Sequence, residues 1–125
     1  MKTKHVILED DPRRIIFFEM FMNTHKLEYA VFNDAKPCMD YITKNKDEIK
    51  MIFLDHDLGG EIMVDSSVHN TGFTVARHIK ETYQDVYPAT IIHSHNPVGA
   101  ENMRKVLTKA QAVPFYLLKT QMGFG

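Results

Sequence analysis

The chain has 125 residues, 44% of them apolar and 25% charged, a balance ordinary for one globular domain with one core. Fifteen basic residues stand against sixteen acidic ones, so no broad field is available to grip a nucleic-acid backbone or an anionic membrane. Any phosphate-bearing partner must be held locally. The single cysteine, Cys38, excludes an internal disulfide and has no catalytic spacing around it, which points to a structural thiol and a cytoplasmic protein. The few apolar residues before Glu9 are too short a run for a signal peptide or a membrane span.

His5 to Leu8 reads as a short apolar strand that ends in Glu9-Asp10-Asp11-Pro12. Three acids in a row repel one another unless a cation, a base or water intervenes. From Arg13 the apolar residues recur with helical spacing, and Pro12 suits the first turn of that helix. Leu27 to Phe32 forms the second strand; Asn33 or Asp34 then caps a helix running to about Asp47, with Met39, Tyr41 and Ile42 available for burial.

Met51 to Leu54 is the third strand, and it breaks into Asp55-His56-Asp57-Leu58-Gly59-Gly60. The connection that follows, residues 59–71, is longer than most strand-to-helix loops and suits a lid or a substrate-contacting segment. Gly72 to about Gln84 reads as helix, with Phe73, Val75, Ala76 and Ile79 facing inward. Ala89 to Ile92 is the fourth strand, running into His93-Ser94-His95-Asn96-Pro97, where Asn-Pro signals a turn. A helix over Ala100–Ala110 and a fifth strand over Val113–Leu118 complete the chain; Pro114 places that strand at an edge. The tail, residues 121–125, carries no signal.

Strands alternating with helices imply right-handed crossovers and a parallel sheet covered on both faces. The expected fold is a single α/β domain over residues 1–125, a flavodoxin-like, doubly wound, five-stranded sheet of order 2-1-3-4-5. That order gathers the three polar clusters at the carboxyl ends of strands one, three and four into one site.

Carboxylates from adjacent strand ends supply the oxygens a hard divalent cation takes, Mg²⁺ first, with Mn²⁺ or Zn²⁺ as alternatives. Glu9, Asp10 and Asp55 are the expected ligands, and Asp57 is a further candidate. His93 and His95, two apart, share a face in an extended chain and suit acid–base work on a phosphate or a transition metal; His56 stands on the neighbouring rim. Ser94 lacks the Gly-x-Ser-x-Gly elbow of a nucleophile and reads, with Asn96, as a phosphate-orienting group. Arg13 and Lys119 are candidate phosphate contacts, whereas Arg14 reads as a solvated helix charge. His69 lies in the long loop, with solvation its default; His5, His25 and His78 read as surface residues. Gly59-Gly60 and Gly99 suit tight turns, and no Walker or dinucleotide fingerprint is present.

Taken together, Val6-Ile7-Leu8-Glu9-Asp10-Asp11-Pro12, Leu54-Asp55 and Ser94, with Lys119 after Leu118, resemble a two-component receiver domain across nearly the whole chain. The resemblance implies Mg²⁺ held by the acids and Asp55 as the phosphoacceptor. Asp55-His56-Asp57-Leu58, His93-Ser94-His95-Asn96-Pro97 and the long loop depart from a signalling receiver. They are similar to the receiver-related branch described as cyclic-phosphate-processing, of bacterial and phage origin, for which RNA repair or nucleotide signalling has been proposed. The leading expectation is therefore a metal-assisted phosphoesterase that opens a cyclic phosphate on a nucleotide or RNA end. In it His93, His95 and His56 move protons around an attacking water beside Asp55. The alternatives are a phosphoacceptor switch at Asp55 and a non-catalytic binder of a cyclic nucleotide.

Overall fold

The computed structural model describes residues 1–123; residues 124 and 125, the end of the tail, lie outside the described residues. Five strands, β1 (Lys4–Leu8), β2 (Glu28–Phe32), β3 (Ile49–Leu54), β4 (Ala89–Ile92) and β5 (Gln111–Ala112), form one sheet of order β2-β1-β3-β4-β5. Every neighbouring pair is parallel. Five helices fill the crossovers: α1 (Pro12–Thr24), α2 (Ala35–Lys44), α3 (Gly72–Tyr83), α4 (Pro97–Val106) and α5 (Phe115–Gln121). This is the flavodoxin-like arrangement expected from the alternation of apolar runs.

Strand side chains alternate between faces, so each central strand feeds two cores. Val6, Leu8, Ile52, Leu54 and Ile92 pack with Cys38 and Ile42 of α2, Val75 and Ile79 of α3 and Met103 of α4. Ile7 and Phe53 point the other way, against Phe18 and Met22 of α1 and Phe115 and Leu118 of α5. Burial among apolar neighbours pushes the Cys38 thiol up to about 12, which makes it a core residue and not a nucleophile.

Several boundaries move for local reasons. The apolar run Val113–Leu118 is not the fifth strand: β5 is only Gln111–Ala112, and Phe115–Gln121 is helix. Pro114, with φ −51°, stops the ladder and starts the helix, and Phe115 and Leu118, three apart, present one buried face. Helix α2 ends at Lys44 and a short 3₁₀ turn, Lys46–Glu48, follows where helix was expected to Asp47. Helix α4 starts at Pro97 because the Asn96 side chain accepts a hydrogen bond from the Gly99 N–H, and it stops at Val106. His5 is buried, with its Nδ1 3.0 Å from the Glu28 carbonyl, so it is not a surface residue.

The long loop after β3 is tied down at both ends. Asp57 and Thr71 form an antiparallel bridge, the Gly60 N–H donates to Asp10 Oδ2 at 2.6 Å, and the Asn70 side chain accepts from the Ala35 N–H at 2.8 Å. Gly72 closes the loop against the end of β3. A Cβ there would lie 1.8 Å from the Asp55 carbonyl oxygen, so only glycine fits. Among the described residues no helix is long and apolar enough to cross a membrane.

Candidate phosphate and cation site

The site follows from strand register. Ile7 pairs with Phe53 and Phe53 with Ile91 across three neighbouring strands. Two residues further along each lie Glu9, Asp55 and His93, and the period of two keeps them on the face that carries α1 and α5. The backbone bonds Asp55 N–H to Leu8 O and His93 N–H to Leu54 O, 3.0 and 2.9 Å, hold the register past the strand ends.

These three side chains are almost fully removed from water: Glu9 and His93 are 0% exposed and Asp55 4%. One donor atom from each lies within 4.8 Å of the other two. His93 Nε2 is 2.9 Å from Glu9 Oε1, while Glu9 Oε2 accepts from the N–H groups of Asp10 and Asp11 at 3.0 and 3.1 Å. Asp55 Oδ1 accepts from the His56 N–H at 2.8 Å. Burial raises the Glu9 carboxyl above its ordinary range. Burial, with the Glu9 charge beside it, pushes Asp55 up to about 7. The imidazole of His93, buried between Phe18 and Phe115, is pushed down to about 4 by desolvation and is neutral at pH 7.

Among the described residues one cationic side chain reaches this cluster. The Arg14 guanidinium lies 3.6 Å from Glu9 Oε1 and 3.7 Å from Asp55 Oδ2, with its side chain 24% exposed. A sequence-based reading makes Arg14 the solvated charge and Arg13 the candidate phosphate contact; both line the cleft, but it is Arg14 that reaches the buried carboxylates. Arg13 is 90% exposed and pairs with Asp11, itself the N-cap of α1, whereas Arg14 points back over the carboxylates. The signal was available: a helix opened by Pro12 at a strand end turns its third residue toward the sheet.

The remaining expected residues divide into two groups. Asp10, Asp55, Asp57, Arg13, Arg14 and His95 line a cleft of about 600 Å³, whose outer wall is Ile62 and Met63 of the long loop. Asp10 spends Oδ2 on Gly60, and Asp57 accepts from the Met63 and Val64 N–H groups at 2.7 and 3.1 Å, so both hold the loop. His95 is exposed at the rim, with Nδ1 3.3 Å from the Arg14 guanidinium and its ring against Tyr116. Desolvation and the nearby Arg14 charge lower its pKa.

His93 and His95 therefore do not act as a pair on one face. Strand β4 ends at Ile92, and the Asn96 N–H bonds to Ser94 Oγ at 3.0 Å, turning the chain so that His93 is buried and His95 exposed. His56 is also fully buried, with Nδ1 2.8 Å from Asp57 Oδ1 and Nε2 2.9 Å from Ser66 Oγ. The Asn96 amide donates to Asp57 Oδ1 and to the Val64 carbonyl, both at 3.0 Å. The hydrogen bonds hold Asp57 below the ordinary carboxylate range although partial burial opposes this. Sequence reasoning missed Ser66 and Asn102, whose amide donates to Ser66 Oγ at 2.9 Å. Neither belongs to a recognisable motif.

Lys119 does not reach the cleft residues through any hydrogen bond or ion pair among the described residues. It sits on α5, its Nζ 4.4 Å from the Phe17 ring centroid, because the run that was to carry it as the end of a strand is helical. Val113 and Pro114 follow β5 instead. His69 lines a separate hollow of about 400 Å³ with Ser66, Phe73, Arg77 and His78.

The trio of Glu9, Asp55 and His93 fits a divalent cation. Two dehydrated carboxylates and a neutral imidazole converge, and burial raises both carboxyl groups above their ordinary range although Arg14 lies beside them. Those three side chains would hold the ion, which when bound would supply positive charge for a phosphate oxygen at the mouth of the cleft.

Comparison with solved structures returns receiver domains over nearly the whole chain. The phosphorylated cyanobacterial phytochrome response regulator RcpA aligns with a TM-score of 0.71 and 16% identity, covering 98% of this chain and 89% of that one. The Mn²⁺-bound response regulator Rcp1 aligns with a TM-score of 0.68, 16% identity, and 97% and 90% coverage. The BeF₃-activated receiver domain of Klebsiella pneumoniae RstA gives 0.66, 16%, and 95% and 94%. At such identities the likeness establishes the fold. Comparison with curated proteins gives no match. The profile described as "Cyclic-phosphate processing Receiver domain" matches residues 4–109, most of the chain, and the protein belongs to that family.

Proposed function

We propose that the cleft over Asp55 is a divalent-cation-dependent phosphoryl site in which Asp55 is the phosphoacceptor. The observation that carries this reading is the placement of Asp55 in the cleft, one oxygen fixed by the His56 N–H and Arg14 beside the other. An Asp55 oxygen attacks phosphorus in line and a new O–P bond forms as the donor's leaving group departs with its bonding electrons. Arg14 supports the charge on the phosphoryl oxygens, in the place where Lys119 had been expected. The fold shared with response-regulator receivers is consistent with this reading.

A second reading, processing of a cyclic phosphate on a nucleotide or RNA end, is favoured by His95, the one exposed histidine of the cleft, and by the family description. Ring opening by water needs one proton taken and one given. His93 and His56 are buried with ring nitrogens committed to Glu9, Asp57 and Ser66, which weakens the two-histidine mechanism against the acceptor reading.

The test is incubation with Mg²⁺ and acetyl phosphate, read by intact mass, beside a panel of 2′,3′-cyclic, 3′,5′-cyclic and linear nucleotides assayed with and without chelator. A chelator-sensitive adduct on Asp55, absent in Asp55→Asn, is expected. Monoester release from a cyclic substrate, lost in His95→Ala, would replace the acceptor by the enzyme. Binding of a cyclic nucleotide with neither adduct nor product would leave a sequestering protein.

A further inference from the structure

We infer that His93 is a nitrogen ligand of the cation site beside Glu9 and Asp55, and that it makes the site select a first-row transition metal over Mg²⁺. The inference rests on the cation-dependent reading above and specifies which donors hold the cation.

The carboxylates expected to complete an all-oxygen site are tied to the long loop. One oxygen of Asp10 accepts from the Gly60 N–H, and Asp57 is occupied by Met63, Val64, Asn96 and His56. What converges instead is one carboxylate from β1, one from β3 and an imidazole from β4, aligned by the register of three neighbouring strands. Glu9 Oε1 and His93 Nε2 are 2.9 Å apart. That is a hydrogen-bond length, and it is also the spacing of adjacent ligands in an octahedral site with bonds of about 2.1 Å, roughly 3 Å.

Burial sharpens the choice of metal. Glu9 and His93 are fully excluded from water and Asp55 nearly so, so a bound ion must shed most of the waters on that side. Mg²⁺ dehydrates reluctantly and takes oxygen, whereas imidazole with carboxylates suits first-row transition ions. The fold by itself gives no reason for histidine at this position. His93 lies among Phe18 and Phe115, and its Nδ1 has no hydrogen-bond partner among the described residues, a cost that an apolar residue would avoid.

The experiment uses the metal-free full chain. Pulsed electron paramagnetic resonance with Mn²⁺ is expected to show a directly bound nitrogen, a readout that needs no variant and no activity. Calorimetry with Co²⁺ and Mg²⁺ separately is expected to favour Co²⁺. In His93→Gln the nitrogen coupling disappears and Co²⁺ affinity falls on the order of 10- to 100-fold, at least the scale that loss of a ligand's supporting partner brings. The Mg²⁺ affinity changes far less. Circular dichroism of the variant checks that it folds. Mn²⁺ bound with no nitrogen coupling in the wild type, or equal affinities for Co²⁺ and Mg²⁺, overturns the inference and leaves the phosphoryl reading standing. Failure of every divalent ion to bind overturns both.

Discussion

The carboxyl edge of the sheet carries two polar clusters built from the same residue types, and they differ in how completely their atoms are partnered. On the loop side His56, Asp57, Asn96 and Ser66 form a closed network in which both His56 nitrogens are occupied and Asp57 accepts from four groups. On the α1 side Glu9, Asp55 and His93 are more completely buried than Asp57 and Ser66 yet under-compensated: both carboxyls are shifted up, and His93 Nδ1 has no partner among the described residues. A closed network stabilises and positions, because removing one member leaves another buried group unpaired. An under-compensated cluster costs stability, and on the proposed reading a bound cation offsets that cost. The sequence shows Asp-His-Asp and His-Ser-His as equal in kind; satisfaction of their atoms separates them.

The largest effect should come from breaking the closed network. A Cβ on Gly99 would sit 2.4 Å from His56 Cγ, and the ring cannot give way while Asp57 and Ser66 hold its two nitrogens. Gly99→Ala is expected to cost about 3 kcal/mol, the upper range for overpacking a fixed core. Urea denaturation measures it, and a loss under about 1 kcal/mol would mean that the network yields and does not fix the loop. Asp55→Asn on the other side should instead leave the metal-free fold as stable or more so, since it removes a buried charge from beside Glu9, while abolishing the phosphoryl adduct.

The pH dependence of stability sharpens the contrast further. Asp55 titrates near 7 in the folded chain against 3.8 ordinarily, so between those values the folded state holds a proton that the unfolded state lacks. Its contribution is therefore present at low pH and lost as pH rises through about 7. His93 titrates near 4 against 6.5, so the unfolded state holds the extra proton between those values, and its contribution is present above 6.5 and lost as pH falls toward 4. The two slopes oppose over the shared window, with the Glu9 carboxyl, also raised by burial, adding to the fall, so the metal-free wild type should fall less steeply there than a chain without His93. His93→Gln should expose a stability that falls with rising pH, and Asp55→Asn one that rises with it, each by about 1 kcal/mol per pH unit. Denaturation midpoints at a series of pH values decide this; parallel slopes in the two variants would break the assignment.

Much of the architecture was legible because alternation and punctuation are strong signals. Ile7, Phe53 and Ile91 on one face, with Leu8, Leu54 and Ile92 on the other, read directly as buried parallel strands. The fifth element was misread because Val113–Leu118 is apolar throughout, and a short apolar run does not distinguish a strand from one face of a helix. Pro114, taken as an edge-strand residue, in fact marks the boundary. At the site, the types and positions of Glu9, Asp55 and His93 were visible, and the register that aligns them could have been derived from the strand assignments. The commitments of Asp10 and Asp57 to loop N–H groups were not visible. They depend on where a 13-residue connection folds back, which local pattern does not specify.

The two arginines give the smallest and cleanest test, because they are adjacent, equally charged and opposite in placement. Arg14 lies within 3.7 Å of both buried carboxylates and in contact with His95, while Arg13 is 90% exposed and among the described residues pairs with Asp11. Exposed pairs such as Arg13–Asp11 contribute little. A guanidinium aimed into a partly dehydrated cleft makes charge-assisted hydrogen bonds to a phosphate that water does not replace. Arg14→Ala is expected to weaken phosphate-dependent binding or adduct formation by about tenfold, roughly 1.4 kcal/mol. Arg13→Ala should stay within about twofold, the range of an exposed charge. Titration with the phosphodonor at fixed Mg²⁺, repeated at high salt, reads both. Equal losses in the two variants, vanishing together with salt, would mean that the cleft attracts phosphate by general charge and that Arg14 has no directed role; a loss confined to Arg14 and surviving salt places its guanidinium on the bound phosphate.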